Sequence, residues 1–232
     1  MISIFGLDGI GEVNDGDRLA SLIVAAADGA LQEGDVLVVT QKIVSKAEGR
    51  LVPVNAEDPL AAKALVEQES VRIVRRRGDL IISETSHGFV CANAGIDLSN
   101  VPAGYAALLP VDCDRSARRI RDGLRADLGI NMGVIISDTF GRPWRKGLTD
   151  VAIGVAGVAA VVDLRGTTDS LGRELQVTEV AVADEIASAA ELVMGKAAGI
   201  PVAVVRGVDA EWLREASVSD EIVRPPAEDL FR

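Results

Sequence analysis

Val134-Ile135-Ile136-Ser137-Asp138-Thr139-Phe140-Gly141-Arg142-Pro143-Trp144-Arg145-Lys146-Gly147 is an apolar run that ends abruptly in an acid and a hydroxyl, then a turn carrying three cations. Val134, Ile135 and Ile136 predict a buried strand, and Gly141 and Pro143 break whatever follows. On that reading Asp138 and Thr139 stand at a strand's end, facing a crevice. An oxygen pair beside Arg142, Arg145 and Lys146 is how a protein holds a metal ion next to a phosphate. An Asp-Thr cap with a solvated basic turn fits the same residues, and the stretch alone does not choose between the two.

Around it, strands and helices are mixed without the strict alternation of a doubly wound sheet. Residues 36–39 and 202–205 read as short buried strands and 80–84 as another. Apolar residues at helical spacing predict helices over 17–31, 59–70, 116–128 and 179–194. Residues 151–162, rich in Ala, Gly and Val, suit a tightly packed strand pair. The fold class is α+β, with mixed sheets and packed helices.

The 232 residues suffice for a sizeable core. The hydrophobic fraction of 48% rests on aliphatic residues, since aromatics supply only 3%. No apolar run approaches membrane-spanning length, and the first five residues have neither a basic region nor a cleavage-like site. Cys91 and Cys113 make no disulfide framework or metal cluster. A cytoplasmic protein without a membrane partner is the expectation. The net charge of −11 argues against nucleic acid as a partner. Small anions would then be met by local cations. Lys42, Lys46 and Arg50 form one such group and Arg142, Arg145 and Lys146 another, while the basic run at 72–77 reads as a solvated edge.

Three further segments could carry chemistry. The loop Asp8-Gly9-Ile10-Gly11 is rich in glycine and could approach a phosphate, but it matches neither the Rossmann nor the P-loop spacing, and a plain turn explains it. After the strand at 36–39, Lys42, Lys46 and Arg50 would stack along one helix face, a self-repelling row that favours an anionic ligand. In the third, Asp97, Ser99 and Asn100 lie among small residues. An Asx-turn or cap accounts for them; so does a hard divalent ion, if Asp138 approaches Asp97. His87 is the only histidine and reads as an exposed turn residue. Neither cysteine has an activating neighbour, so the chemistry left open is metal-assisted phosphoryl transfer or binding without chemistry.

At these residues the chain resembles the coenzyme F420-0:L-glutamate ligases, or F420 gamma-glutamyl ligases. The matching segments are Thr40-Gln41-Lys42-Ile43-Val44-Ser45-Lys46-Ala47-Glu48-Gly49-Arg50, Asn93-Ala94-Gly95-Ile96-Asp97-Leu98-Ser99-Asn100-Val101 and Ser137-Asp138-Thr139-Phe140-Gly141-Arg142. Thr149-Asp150-Val151-Ala152-Ile153-Gly154, the stretch from Val177 to Glu185 and Val204-Val205-Arg206-Gly207 follow in the family's order.

The resemblance implies a homodimer with an intertwined fold. It also implies an amide-forming enzyme: GTP activates a carboxylate of coenzyme F420-0 as an acyl phosphate, and L-glutamate displaces the phosphate. Further γ-linked glutamates can follow. It implies Mg²⁺ or Mn²⁺, as two divalent ions, and K⁺. The first metal site falls on Asp97 and Asp138 and the second on Thr139. Nucleotide contacts fall on Asp8, Gly9, Ile10, Gly11, Gln41, Lys42, Lys46 and Asn100, and on Met194, Gly195, Lys196 and Gly199. Lys46 and Arg142 are the cations expected to stabilise the transferred phosphoryl group. One position departs from the pattern: similar archaeal proteins carry a glutamate ligand where Lys196 stands. That lysine, and the ending from Arg224 to Phe231, look more like the N-terminal half of two-domain bacterial enzymes. Residues 1–232 would then be the ligase domain, without their flavin-binding domain. The competing readings are a ligase with another acceptor and a nucleotide- or coenzyme-binding subunit that needs a partner.

Overall fold

The computed structural model describes residues 1–55 and 59–229; Leu230 and Phe231 of the noted ending lie outside the described residues. In chain order the elements are β1 (Ser3–Gly6), α1 (Leu19–Ala27), β2 (Val36–Thr40), α2 (Gln41–Ala47), β3 (Leu51–Pro53), α3 (Pro59–Gln68), β4 (Ser70–Arg77), β5 (Leu80–Thr85), β6 (Val90–Ala92) and β7 (Tyr105–Ala107). There follow α4 (Cys113–Leu128), β8 (Gly133–Arg142), β9 (Arg145–Ala156), β10 (Val162–Asp163), β11 (Glu179–Val180), α5 (Val182–Met194), β12 (Val202–Arg206) and α6 (Val218–Glu221). The α+β class holds.

The main sheet has the order β1-β12-β2-β8-β9. β12 runs antiparallel to both β1 and β2, whereas β2 and β8 are parallel. Three strands therefore point the same way, and β1, β2 and β8 end at one edge. Val36 to Val39 and Val134 to Ile136 are fully buried, which requires cover on both faces and explains their continuous apolar runs. α5 packs on β9, β1 and β12, and α4 packs on β8 and β9 with α1 against it. Contact between α4 and the sheet is close. A Cβ on Gly154 would lie 2.4 Å from the Cys113 backbone, so only glycine fits there. β4, β5 and β6 form a separate antiparallel sheet, and β3 pairs with β7.

Several expectations are corrected. β8 does not stop near Ile136. Its parallel pairing with β2 ends at Ser137 opposite Thr40, but the strand continues to Arg142 because β9 still pairs with it. Gly141 is tolerated inside this ribbon, and only Pro143 and Trp144 turn it. Residues 151–162 are not a strand pair: Val151 to Ala156 complete β9, and a buried connection leads to β10. Glu179 and Val180 belong to β11, so the helix begins at Val182. α4 begins three residues early because Asp112 caps it, accepting a hydrogen bond from the Arg115 N–H. The basic run at 72–77 is an exposed strand, as expected, with Arg72 paired to Glu84 and Arg76 to Glu67.

Candidate active site

The shared edge of β1, β2 and β8 gathers the segments singled out in the sequence. Beyond β1 lies the loop with Asp8, Gly9, Ile10 and Gly11, pinned by buried Leu7 and Val13. The loop itself is largely exposed, and neither Gly9 nor Gly11 has anything within 4 Å of a notional Cβ. Past β2, α2 starts at Gln41. Before β12 comes the loop with Gly195, Lys196 and Gly199, and its Ile200 packs so closely on Gly6 that a Cβ there would meet it at 2.6 Å. Met194 is in the core, so any ligand contact it makes runs through its backbone. Asn100 is exposed and has a left-handed backbone, φ +55°, a conformation asparagine tolerates.

The cation row resolves differently from its expectation. α2 ends at Ala47, so Arg50 leaves the helix face, and each cation meets a carboxylate of the chain itself. Lys42 Nζ lies 2.8 Å from Asp97 Oδ2 and donates to Ser99 Oγ at 2.9 Å. Lys46 Nζ, nearly buried, donates to Glu12 Oε1 at 2.5 Å, which ties the glycine loop to α2. Arg50 pairs with Glu69 at 3.1 Å. Self-repulsion is thus answered internally, and the row by itself no longer argues for an anionic ligand.

Asp138 and Thr139 are consecutive strand residues and project to opposite faces of β8, so they are not one oxygen pair. On Thr139's side, its hydroxyl donates to Asp150 Oδ1 at 2.6 Å across the β8–β9 pair, and Ser137 Oγ donates to Asp150 Oδ2 at 3.2 Å. Lys196 Nζ closes this cluster, 2.9 Å from both Asp150 Oδ1 and Glu191 Oε1, and it also donates to Thr139 Oγ1. Burial works against the Lys196 ammonium, but the two carboxylates hold its pKa above the ordinary lysine range. The cap reading of Asp138 and Thr139 is removed, since both lie within a strand.

On the other side Asp138 is half-buried and, among the described residues, has no ion-pair partner. Burial pushes its carboxyl up to about 7; a backbone hydrogen bond from Thr139 opposes this, the charges of Asp97 and Asp150 add to it, and Lys42 pulls back. Asp97 behaves oppositely. Burial raises it, but hydrogen bonds from Lys42 and Ser99 outweigh that and leave it below the usual carboxylate range. Asp138 is therefore a carboxylate short of a cation.

That deficit, and an all-oxygen donor set, suit a hard divalent ion held by Asp138 with Asp97. Among the described residues no three His, Cys, Asp or Glu side chains are already grouped to hold one. Asp97 would first have to release Lys42. Arg142, Arg145 and Lys146 do not stand beside Asp138. They lie at the exposed tip of the ribbon, Arg142 donating to the Lys146 carbonyl at 3.0 Å. Arg142 lies four residue steps along the strand from Asp138, roughly 13 Å.

His87 lies in a turn, as expected, but it is half-buried rather than exposed, stacked on Phe89 at 5.4 Å, and its Nε2 is 2.8 Å from the Pro110 carbonyl. Burial pushes the Cys91 thiol up to about 12 and raises Cys113 too, so neither is a nucleophile. Sequence reasoning assigned no role to Asp150, Glu191 or Glu12. Asp150 carried one signal, an acid opening the apolar run Val151-Ala152-Ile153, but its pairing with Thr139 depends on a strand register that the sequence does not display. Among the described residues no helix is long and apolar enough to cross a membrane.

Residues 9–207 match the family described as F420-0:Gamma-glutamyl ligase. The chain is 46% identical to the coenzyme F420:L-glutamate ligase of Methanopyrus kandleri, over 95% of this chain and 94% of that protein. It is 43% identical to the enzyme of that name from Methanothermobacter thermautotrophicus, over 100% of this chain and 99% of the other. A third, from Methanocaldococcus jannaschii, is 41% identical over 87% of this chain and 86% of its own length. The chain belongs to the F420-0:gamma-glutamyl ligase family.

Proposed function

We propose that this chain is a GTP-dependent ligase that joins L-glutamate to coenzyme F420-0 through an amide bond. The observation that carries this reading is the family match over residues 9–207, together with the gathering of its segments at one sheet edge around Asp138. Relatives named coenzyme F420:L-glutamate ligase support the acceptor and the amino acid. GTP and the acyl phosphate are the finer part of the proposal.

In the first step a carboxylate oxygen of the acceptor bonds to the γ-phosphorus of GTP, and the bond to the β–γ bridging oxygen breaks, releasing GDP. The glutamate nitrogen then attacks the acyl carbon, phosphate leaves, and the amine's surplus protons pass to solvent. Two anions meet in the first step, so charge compensation governs the barrier. A divalent ion at Asp138 and Asp97 would supply Lewis-acid compensation there. Lys46, held by Glu12 at the start of the crevice, suits a nucleotide phosphate. With Asp97 holding the ion, Lys42, now paired to that carboxylate, would be free to meet a phosphate oxygen. Arg142 reaches the reacting group only if the ribbon folds over the crevice.

The test is direct: protein is incubated with coenzyme F420-0, L-glutamate, GTP and Mn²⁺ or Mg²⁺, and product mass is followed. Glutamyl addition with GDP release is expected. Folded protein that adds no glutamate would overturn the proposal. Asp138→Asn is expected to lower the rate at least about a hundredfold; unchanged turnover would remove Asp138 from the site.

A further inference from the structure

The Lys196 ammonium sits where an ion would sit. It touches two carboxylate oxygens, on Asp150 and Glu191, and the Thr139 hydroxyl. The Thr139–Asp150 part of the oxygen cage is fixed independently of the lysine. Asp150, with a side chain only 3% exposed, accepts from Thr139 and Ser137. Its backbone carbonyl accepts from Ser188 on α5, the helix that also presents Glu191. A buried carboxylate of this kind is costly unless a cation neutralises it. Lys196 arrives from a loop, through a side chain 59% exposed along its length, and delivers only its charged end to the cage.

We propose that Lys196 is a built-in cation: it occupies the Thr139–Asp150–Glu191 side of β8 permanently, so this chain takes a single divalent ion, on the Asp97–Asp138 side. The inference rests on the divalent-ion reading of Asp138 given under the proposed function. β8 separates the two positions, because Asp138 and Thr139 project to opposite faces. The two charges thus flank the strand without sharing ligands. A monovalent ammonium contributes half the charge of a divalent ion and has no open coordination position. It can balance Asp150 and orient Thr139, but it cannot activate a bound oxygen.

Counting bound ions tests this without reference to turnover. Purified protein is titrated with Mn²⁺ alone at pH 7.5, roughly the neutral range in which such sites are charged, and the free hexaaqua ion is followed by electron paramagnetic resonance. About one Mn²⁺ per chain is expected for the unaltered protein, and about two for Lys196→Gln, which vacates the cage but leaves Asp150 and Glu191 in place. Lys196→Arg restores a cation and is expected to return the count to about one. About two ions in the unaltered protein would overturn the role of Lys196 while leaving the Asp97–Asp138 site standing. A count that stays at about one in Lys196→Gln would also overturn it. No Mn²⁺ bound to any of the three proteins would overturn the divalent-ion reading itself, and this inference with it.

Discussion

At the scale of single residues, Asp138 concentrates the tension in the structure. Its carboxyl is pushed up to about 7, from an ordinary value of 3.8, because it is desolvated and feels the negative charges of Asp97 and Asp150. The folded protein therefore holds that proton more tightly than the unfolded chain does. Stability is greatest below about pH 4 as far as this group is concerned, declines as pH rises toward 7, and is level above that. Asp138→Asn is expected to leave stability unchanged near pH 4 and to raise it by about 1–3 kcal/mol at pH 8 without divalent ions, after allowance for partial exposure. Urea unfolding at the two pH values measures the difference, and equal midpoints at pH 8 would count against the charge penalty. Adding Mn²⁺ should close the gap by stabilising the parent. The candidate acids were legible because short oxygen-bearing residues interrupted apolar runs. Their partners were not: Lys42 meets Asp97 across 55 positions of sequence, and Lys196 meets Asp150 across 46.

Among the elements, the short buried strands β2 and β12 were legible from continuous valine-rich runs, since a strand covered on both faces has no polar period to confuse. β8 and β9 were misread because their pairing runs on beyond the main sheet, into residues only partly buried and then exposed. Past Ser137 the ribbon has, among the described residues, no hydrogen-bonded strand on the β2 side, and its residues turn polar and imitate a turn. α4 was legible in its amphipathic body, but its buried first turn was not. There Asp114, nearly buried, accepts hydrogen bonds from the backbone N–H groups of Val155, Val218 and Ser219, tying α4 to β9 and to α6. Asp114→Ala leaves three backbone donors without their acceptor and is expected to cost about 2–4 kcal/mol. Thermal unfolding checks this; a loss under about 0.5 kcal/mol would show that water replaces the carboxylate at little cost.

For the whole molecule, the crevice is assembled from segments between Asp8 and Gly199, and the strand that joins them is β12, inserted between β1 and β2. Its first four residues, Val202 to Val205, are buried. A chain cut after residue 201 loses this strand and leaves two sheet edges unpaired. It is expected to show no cooperative urea transition by circular dichroism, whereas a cooperative transition would mean that β1 and β2 can close on each other. The same arrangement has a cost during synthesis. At ribosomal speeds, roughly 10–30 s pass between the emergence of β2 and that of β12. Throughout that interval a run of four valines and leucines hangs beside the exit tunnel with an unpaired flank, a natural substrate for a holding chaperone.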